Sequence, residues 1–383
     1  MPAYISDAER RARLVARHRL DRSARDVADA VRSMVALHSS DPLTPHLGAW
    51  ARVPGFRPED LTTALCDDRS LCRMHGMRRT LFVVHRDDVE IVEAAATRAI
   101  AAKERKRLRG WVEAAGLDVD ATLQAATDAI RRALRDGERS TQGLRAAIPA
   151  LGTTIRVGSG KWAQDAPLGS RLLYVLAMDG LIVRTRTSGW RNSQYAWADA
   201  TGWFGRALRG GEEAEARAAL LRRYLETHGP ATMVDLRWWT GWTAARVKAA
   251  LKAVDAEIVG MEGAEGFVLP GDLDTPAVAP GASLLPGLDS APMGWKERDW
   301  FLDRHDAELF DRNGNVGPTV WWGGRIVGGW AARPGGVAVR LLEDVGSEAE
   351  GAIEAERAAL TAWLDGEVPI PRFRTPLERA LTR

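Results

Sequence analysis

Apolar residues recur along the first third of the chain with the spacing of short helices and then with the alternation of strands. Residues 24–37 place Val27, Val31 and Met34 on one stripe, which predicts an amphipathic helix that ends just before His38. The pattern then predicts helices near 44–51 and 58–66, strands at 70–75 and 78–84 joined at Gly76-Met77, and a long helix at about 87–113. Helices followed by a two-stranded hairpin are the plan of a winged helix.

The same plan recurs twice further along the chain. In the middle unit a helix at about 168–179 precedes strands at 181–187 and 193–198. Residues 217–270 contain short helices separated by a turn at Thr240-Gly241-Trp242, and then a second hairpin. The adjacent tryptophans of this unit, which are expected to pack between helices, are Trp238, Trp239 and Trp242.

After about residue 280 the pattern changes to short strands separated by glycine and proline. One hairpin is expected to turn at Gly323-Gly324, and an acidic helix at roughly 347–365 is expected to pack on the sheet. We therefore predict an α+β fold with three tandem winged-helix motifs followed by a small C-terminal β-rich domain. The expected boundaries are 1–116, which includes the bridging helix and the candidate catalytic motif, 117–205, 206–275 and 276–383.

Composition is that of an ordinary globular protein, with 27% charged and 45% hydrophobic residues. No apolar window reaches the roughly 18 residues that a membrane-spanning helix needs, so we expect a cytoplasmic protein without membrane contact. The two cysteines, Cys66 and Cys72, exclude a disulfide framework. Scattered histidines and the lack of a phosphate-binding or dinucleotide-binding glycine motif predict neither a metal nor a cofactor.

Basic residues outnumber acidic ones over residues 1–110, whereas residues 343–367 are acidic. This asymmetry suits a polyanionic partner, although an arginine-rich composition alone would produce part of it. The candidate DNA contacts on the predicted wings are Arg78, Arg79, Thr80, Arg184, Arg186, Trp190, Arg191 and Asn192. A solvated surface explains the same residues, and the basic run at 103–109 is more typical of a solvated helix face.

The candidate chemistry lies in His38-Ser39-Ser40-Asp41, at the end of the first apolar run. An imidazole of ordinary pKa near 6.5 can accept a proton from water, and the Ser40 hydroxyl can orient that water. Asp41 can stabilise positive charge, but an Asp-Pro pair after a helix is also a common stop signal. For His38, the alternative to catalysis is capping of a helix end.

These motifs together resemble the winged-helix DNA glycosylases of the AlkZ/YcaQ type over essentially the whole chain. The elements that carry the resemblance are the polar motif with Asp-Pro at 37–42, Met77-Arg78-Arg79-Thr80, the Leu-Leu-Pro…Asp element at 284–289 and the hairpin at 313–328. Where that family carries Gln-x-Gln or Gln-x-Asp, this chain has His38-Ser39-Ser40.

The resemblance implies a monofunctional glycosylase that excises N7-alkylated or bulky-adduct purines from double-stranded DNA, in which water rather than lysine attacks. It places His38 and Ser40 at the family's catalytic positions, and Asp41, one place later, is the third candidate catalytic residue. The resemblance also implies a cleft open enough for lesions that are hard to flip. We expect a monomer, with self-resistance to a genotoxic natural product as one biological role. The alternative is a non-catalytic winged-helix regulator or damage-binding protein.

Overall fold

The computed structural model describes residues 3–208 and 210–383 and has a mixed α+β fold. Its helices are α1 Asp7–Arg17, α2 Val27–Arg32, α3 Leu43–Trp50, α4 Pro58–Cys66, α5 Val89–Val92, α6 Arg98–Ala114, α7 Val119–Ala133, α8 Thr141–Ala147, α9 Leu168–Met178, α10 Ala200–Phe204, α11 Glu213–His228, α12 Met233–Thr240, α13 Ala244–Ala253, α14 Asp299–Leu302, α15 Asp306–Leu309, α16 Gly346–Leu364 and α17 Pro376–Leu381.

Its strands are β1 Ala36–His38, β2 Leu71–His75, β3 Leu81–His85, β4 Arg139–Ser140, β5 Thr154–Val157, β6 Gln164–Pro167, β7 Ile182–Thr187, β8 Tyr195–Asp199, β9 Glu257–Met261, β10 Ala264–Val268, β11 Ala282–Leu285, β12 Thr319–Trp322, β13 Arg325–Arg333 and β14 Gly336–Leu341. Most of the expected helices and wing strands are present within a few residues of their predicted bounds.

The first two wings form one continuous six-stranded sheet in the order β1-β3-β2-β7-β8-β4. Strands β2 and β7 come from different units and pair where Arg73 lies opposite Arg184. Strand β1 pairs antiparallel with β3, with Leu37 opposite Val83 and His38 opposite Phe82. The candidate catalytic motif, which begins at the end of β1, and the second wing, β7–β8, therefore belong to the same sheet.

Residues 33–38 are not helical, so the predicted helix at 24–37 was wrong over its second half. Helix α2 ends at Arg32, and Val35 has a φ of 64°, in the left-handed region that a β-branched residue rarely adopts. The chain then enters β1, where the edge of β3 satisfies its backbone hydrogen bonds. His38 consequently lies on a strand and not at the exit of a helix.

The connection between β2 and β3 is longer than predicted. Residues Met77–Arg79 form a 3-10 turn closed by the Gly76 amide, which donates to the Thr80 carbonyl at 2.9 Å. Arg78 and Arg79 both have positive φ, so they lie at the tip of this turn and not at the start of a strand. A further hairpin, β5–β6, has no counterpart in the sequence analysis and carries the exposed Trp162.

The C-terminal sheet has the order β11-β12-β13-β14 and turns at Gly323-Gly324, as predicted. Helix α16 packs against β11 and β14. A fully buried ion pair connects this unit to the segment just after α3: the Arg52 guanidinium donates two hydrogen bonds to the Asp289 carboxylate, at 2.9 and 2.7 Å. Within the described part of the chain, no helix is both long and apolar enough to cross a membrane.

Candidate active site

His38 is the last residue of β1 and is only 8% exposed. Its ring meets Phe82 edge to face, with ring centres 5.5 Å apart. Burial, and secondarily the charge of Arg78, lower the pKa of His38 from 6.5 to about 3. The imidazole is therefore neutral at physiological pH and a weak proton acceptor.

The serines after His38 take different positions. The Ser40 amide points at His38 Nδ1 over 3.4 Å, which favours the neutral tautomer whose proton is on Nε2. Ser39 is buried, and its Oγ accepts a hydrogen bond from Arg73 Nε at 3.0 Å. Ser40 remains partly exposed, while its carbonyl accepts from the Arg372 guanidinium at 2.9 Å.

Asp41 is almost fully buried, and its carboxylate is held by the backbone. One oxygen accepts from the Leu43 amide at 3.0 Å and the other from the Arg372 amide at 2.7 Å. Burial is the dominant effect on its pKa, which is raised above the ordinary value despite these bonds. The carboxylate thus fixes the C-terminal segment against the motif, a contact between residues 331 positions apart.

Arg78 and Arg79 border a groove between the first wing and α12–α13. The Arg78 guanidinium lies 3.9 Å from the ring centre of Trp238, and Arg79 forms an ion pair with Glu104 at 3.0 Å. The groove has a volume of about 360 Å³ and is also lined by the basic residues Lys103, Arg107 and Arg246. Part of the 103–109 run therefore faces the same groove as the first-wing turn.

The predicted second-wing residues all have partners within the chain. Arg184 is buried against the Trp197 ring, and Trp190 contacts the rings of His46 and Trp363. The remaining contacts join Arg186 to Asp67, Arg191 to Glu367 at 2.6 Å, and the Asn192 amide to the Ser188 hydroxyl. The wing tip is thus packed against α16 and the segment that follows it.

Two residues, one beside the motif and one beside the first-wing turn, were not predicted from the sequence. Arg73, buried on β2, is hydrogen-bonded to Ser39; a charged residue within the apolar run Leu71–His75 was the available signal. Arg298 lies 5.0 Å from the Trp238 ring, so this partly exposed tryptophan contacts both Arg298 and Arg78. Trp239 and Trp242 are buried, as expected, but Trp238 is only partly so.

One group of potential metal ligands occurs among the described residues. Atoms of Asp303, His305 and Glu343 lie within 4.8 Å of one another, far along the chain from the motif. Arg325 already pairs with Glu343 at 3.1 Å and neutralises its carboxylate. Nothing in the spacing of these residues indicated that the fold would bring them together.

Comparison with known proteins identifies the class of this chain. Residues 31–363 match the family described as DNA glycosylase AlkZ-like. The fold also matches the structure of the Streptomyces sahachiroi DNA glycosylase AlkZ, with a TM-score of 0.72 and 20% identity over 96% of this chain and 99% of that one. No curated protein sequence matches the chain significantly.

The chain belongs to the AlkZ-like DNA glycosylase family, and the resemblance seen in its motifs is confirmed. It is a DNA repair enzyme that hydrolyses the N-glycosidic bond, and DNA is its partner. This assignment favours the catalytic interpretation over that of a regulator.

Proposed function

We propose that this glycosylase excises N7-alkylated or bulky-adduct purines and that it is monofunctional. Two observations support this substrate class: His38 is buried and neutral, and both oxygens of the Asp41 carboxylate, three residues further along the chain, already accept hydrogen bonds from backbone amides. Neither group is suited to protonating a leaving base. A purine alkylated at N7 carries a positive charge and departs as a neutral molecule, so it needs no such acid.

The remaining catalytic task is to position water at the anomeric carbon as positive charge develops on the sugar. With the proton on Nε2, His38 donates a hydrogen bond to this water, and a remaining lone pair of the water oxygen bonds to the anomeric carbon as the bond to the base breaks. The base leaves as a neutral molecule, and the proton that the water loses passes to solvent. The Ser40 hydroxyl accepts a hydrogen bond from the same water. His38 and Ser40 then take the place of the two side chains of the family motif, because both position the attacking water. Asp41 acts indirectly, by holding the motif and the C-terminal segment together.

We propose that double-stranded DNA lies along the groove bordered by Arg78, Arg79 and Arg107, which offers exposed cations to phosphates. Thr80, which directly follows the first-wing turn, remains a predicted DNA contact. The second-wing residues Arg186, Trp190, Arg191 and Asn192 remain predicted contacts that would require exchange of their internal partners. Binding should weaken steeply with salt because phosphate contacts release counterions.

Three tandem DNA-binding units in one chain make a dimer unnecessary, so we propose that the enzyme acts as a monomer in the cytoplasm. An open surface accommodates lesions too large for a deep base pocket. Bulky lesions of this kind are left by genotoxic natural products, which makes self-resistance a role consistent with the proposed substrate.

The test is base release from duplexes that contain N7-methylguanine, a bulkier N7-guanine adduct, or a neutral altered base such as hypoxanthine. Alkali-labile abasic sites should appear with both cationic purines and not with the neutral base. The His38→Ala variant should lose excision while retaining DNA affinity, and His38→Gln, which restores the family's amide, should remain active. Release of the neutral base at a comparable rate would overturn the proposed substrate class.

A further inference from the structure

Two arginines opposite each other on β2 and β7 are buried beside the catalytic motif. Arg73 is 6% exposed and Arg184 is 8% exposed, and the two are register partners in the continuous sheet. Within residues 3–208 and 210–383, neither guanidinium forms an ion pair with a carboxylate. Each guanidinium lies near an aromatic ring, that of Tyr195 at 4.8 Å from Arg73 and that of Trp197 at 4.9 Å from Arg184, and Arg73 also donates to Ser39 Oγ.

A buried cation without a counter-charge is costly, and two such cations side by side also repel each other. The aromatic faces compensate only part of this cost, because a cation–π contact leaves the net charge in place. Burial lowers the pKa of Arg184 to about 10, and it lowers that of Arg73 as well. An arrangement that disfavours the unliganded fold in this way is typical of functional sites.

The location of the pair suggests which anion would neutralise it. Arg73 donates to Ser39 Oγ within the catalytic motif, so an anion held here lies next to the reacting nucleotide. During glycosidic cleavage the sugar gains positive charge, which bare guanidiniums would oppose. A bound phosphodiester removes this opposition and places a negative charge beside the sugar.

We propose that Arg73 and Arg184 form a clamp for one phosphodiester group next to the damaged nucleotide. This inference rests on the proposed function in one respect, that the lesion occupies the cleft at His38. The guanidiniums donate charge-assisted hydrogen bonds to the phosphate oxygens, for which their planar, multi-donor geometry is suited. The clamp aligns the anomeric carbon with the water held by the motif.

The clamp can be tested without any base excision, in duplexes that contain a tetrahydrofuran abasic analogue. One phosphate at a time is replaced by an uncharged methylphosphonate, and affinity is measured for the wild type, Arg73→Met and Arg184→Met. The wild type should lose roughly tenfold to a hundredfold in affinity at one phosphate near the analogue. In either variant the same replacement should have little further effect. The salt slope of each variant should fall by about one.

A control variant and a stability measurement separate a binding role from a structural one. Arg333→Met, which removes an exposed arginine on β13, should keep the wild-type methylphosphonate pattern. Removing an uncompensated buried charge should leave the melting temperature of Arg73→Met and Arg184→Met unchanged or higher. Arg73→Lys and Arg184→Lys, which keep the charge, should recover part of the affinity.

Methylphosphonate effects that add fully to the arginine substitutions at every position would overturn the clamp. Lowered melting temperatures with uniform loss of affinity would overturn it in favour of a structural role. If the methylphosphonate effect disappears in the arginine variants as expected but no cationic purine is released, the proposed substrate is refuted and the clamp stands. If cationic purines are released but the methylphosphonate effect is the same in the wild type and the variants, only the clamp is refuted.

Discussion

Acidification from pH 7 to pH 5 should remove most of the stability of this protein because several histidines are buried in their neutral form. Burial lowers the pKa of His38, His46 and His228 from 6.5 to about 3 in each case. The pKa of His18 and of His75 is also lowered well below the ordinary value, mainly by burial. In the unfolded chain all five regain ordinary values and bind protons below about pH 6.5.

The unfolded state therefore binds more protons than the folded state, and the free energy of unfolding falls as pH falls from about 6.5 towards 3. Each histidine with a folded pKa near 3 loses about 1.4 kcal/mol per pH unit, or about 2 kcal/mol at pH 5. His38, His46 and His228 together then cost about 6 kcal/mol, which is comparable to the whole stability of an ordinary domain, about 5–15 kcal/mol. Carboxylates with raised pKa, such as Asp41, Asp235 and Glu356, act in the opposite direction, because the folded state binds their protons more readily than the unfolded state as the pH falls.

The assay is urea unfolding at pH 7, 6 and 5, followed by circular dichroism and by the fluorescence of the 15 tryptophans. His228 is a suitable probe because it is fully enclosed: its ring stacks on Tyr224, with centres 4.6 Å apart, and contacts Trp295. The His228→Leu variant should show a pH slope smaller than that of the wild type by about one proton. A wild-type loss below about 2 kcal/mol between pH 7 and 5, or an unchanged slope in the variant, would refute the reasoning.

Three further predictions concern single contacts. Asp289→Ala should lower the free energy of unfolding by about 3–5 kcal/mol, because it leaves the Arg52 guanidinium buried and unpaired; a loss below about 1 kcal/mol in urea titrations would contradict this. The kcat for an N7-alkylguanine duplex should stay constant from pH 8 to pH 6 because the pKa of His38 is about 3. An inflection near pH 6.5 that disappears in His38→Gln would contradict this, since it would show that the imidazole acts as a base of ordinary pKa. Trp162→Ala should weaken duplex binding by about 1–3 kcal/mol if this exposed ring on the β5–β6 hairpin stacks on a base, whereas unchanged affinity would exclude such a contact.

The sequence alone determined the order of most elements because their signals are local. Helix α4 has the predicted bounds 58–66 and begins at Pro58, α9 ends one residue short of the predicted bound at 179, and the C-terminal hairpin turns at Gly323-Gly324 as predicted. Each of these signals lies within a few residues of the element that it bounds. The motif around His38 was equally visible, and it carried the family resemblance that the comparison confirms.

Tertiary structure alone decided the chemical state of the site. Strand β1 forms in place of a helical turn because it pairs with the edge of β3. His38 is a weak base because its side chain is buried in that position. The capture of Asp41 by the Arg372 amide joins residues 331 positions apart, and the pairing of β2 with β7 joins separate units. Strand pairing and desolvation depend on contacts between distant parts of the chain, so no local pattern could have shown whether these charged groups are paired, buried or free to act.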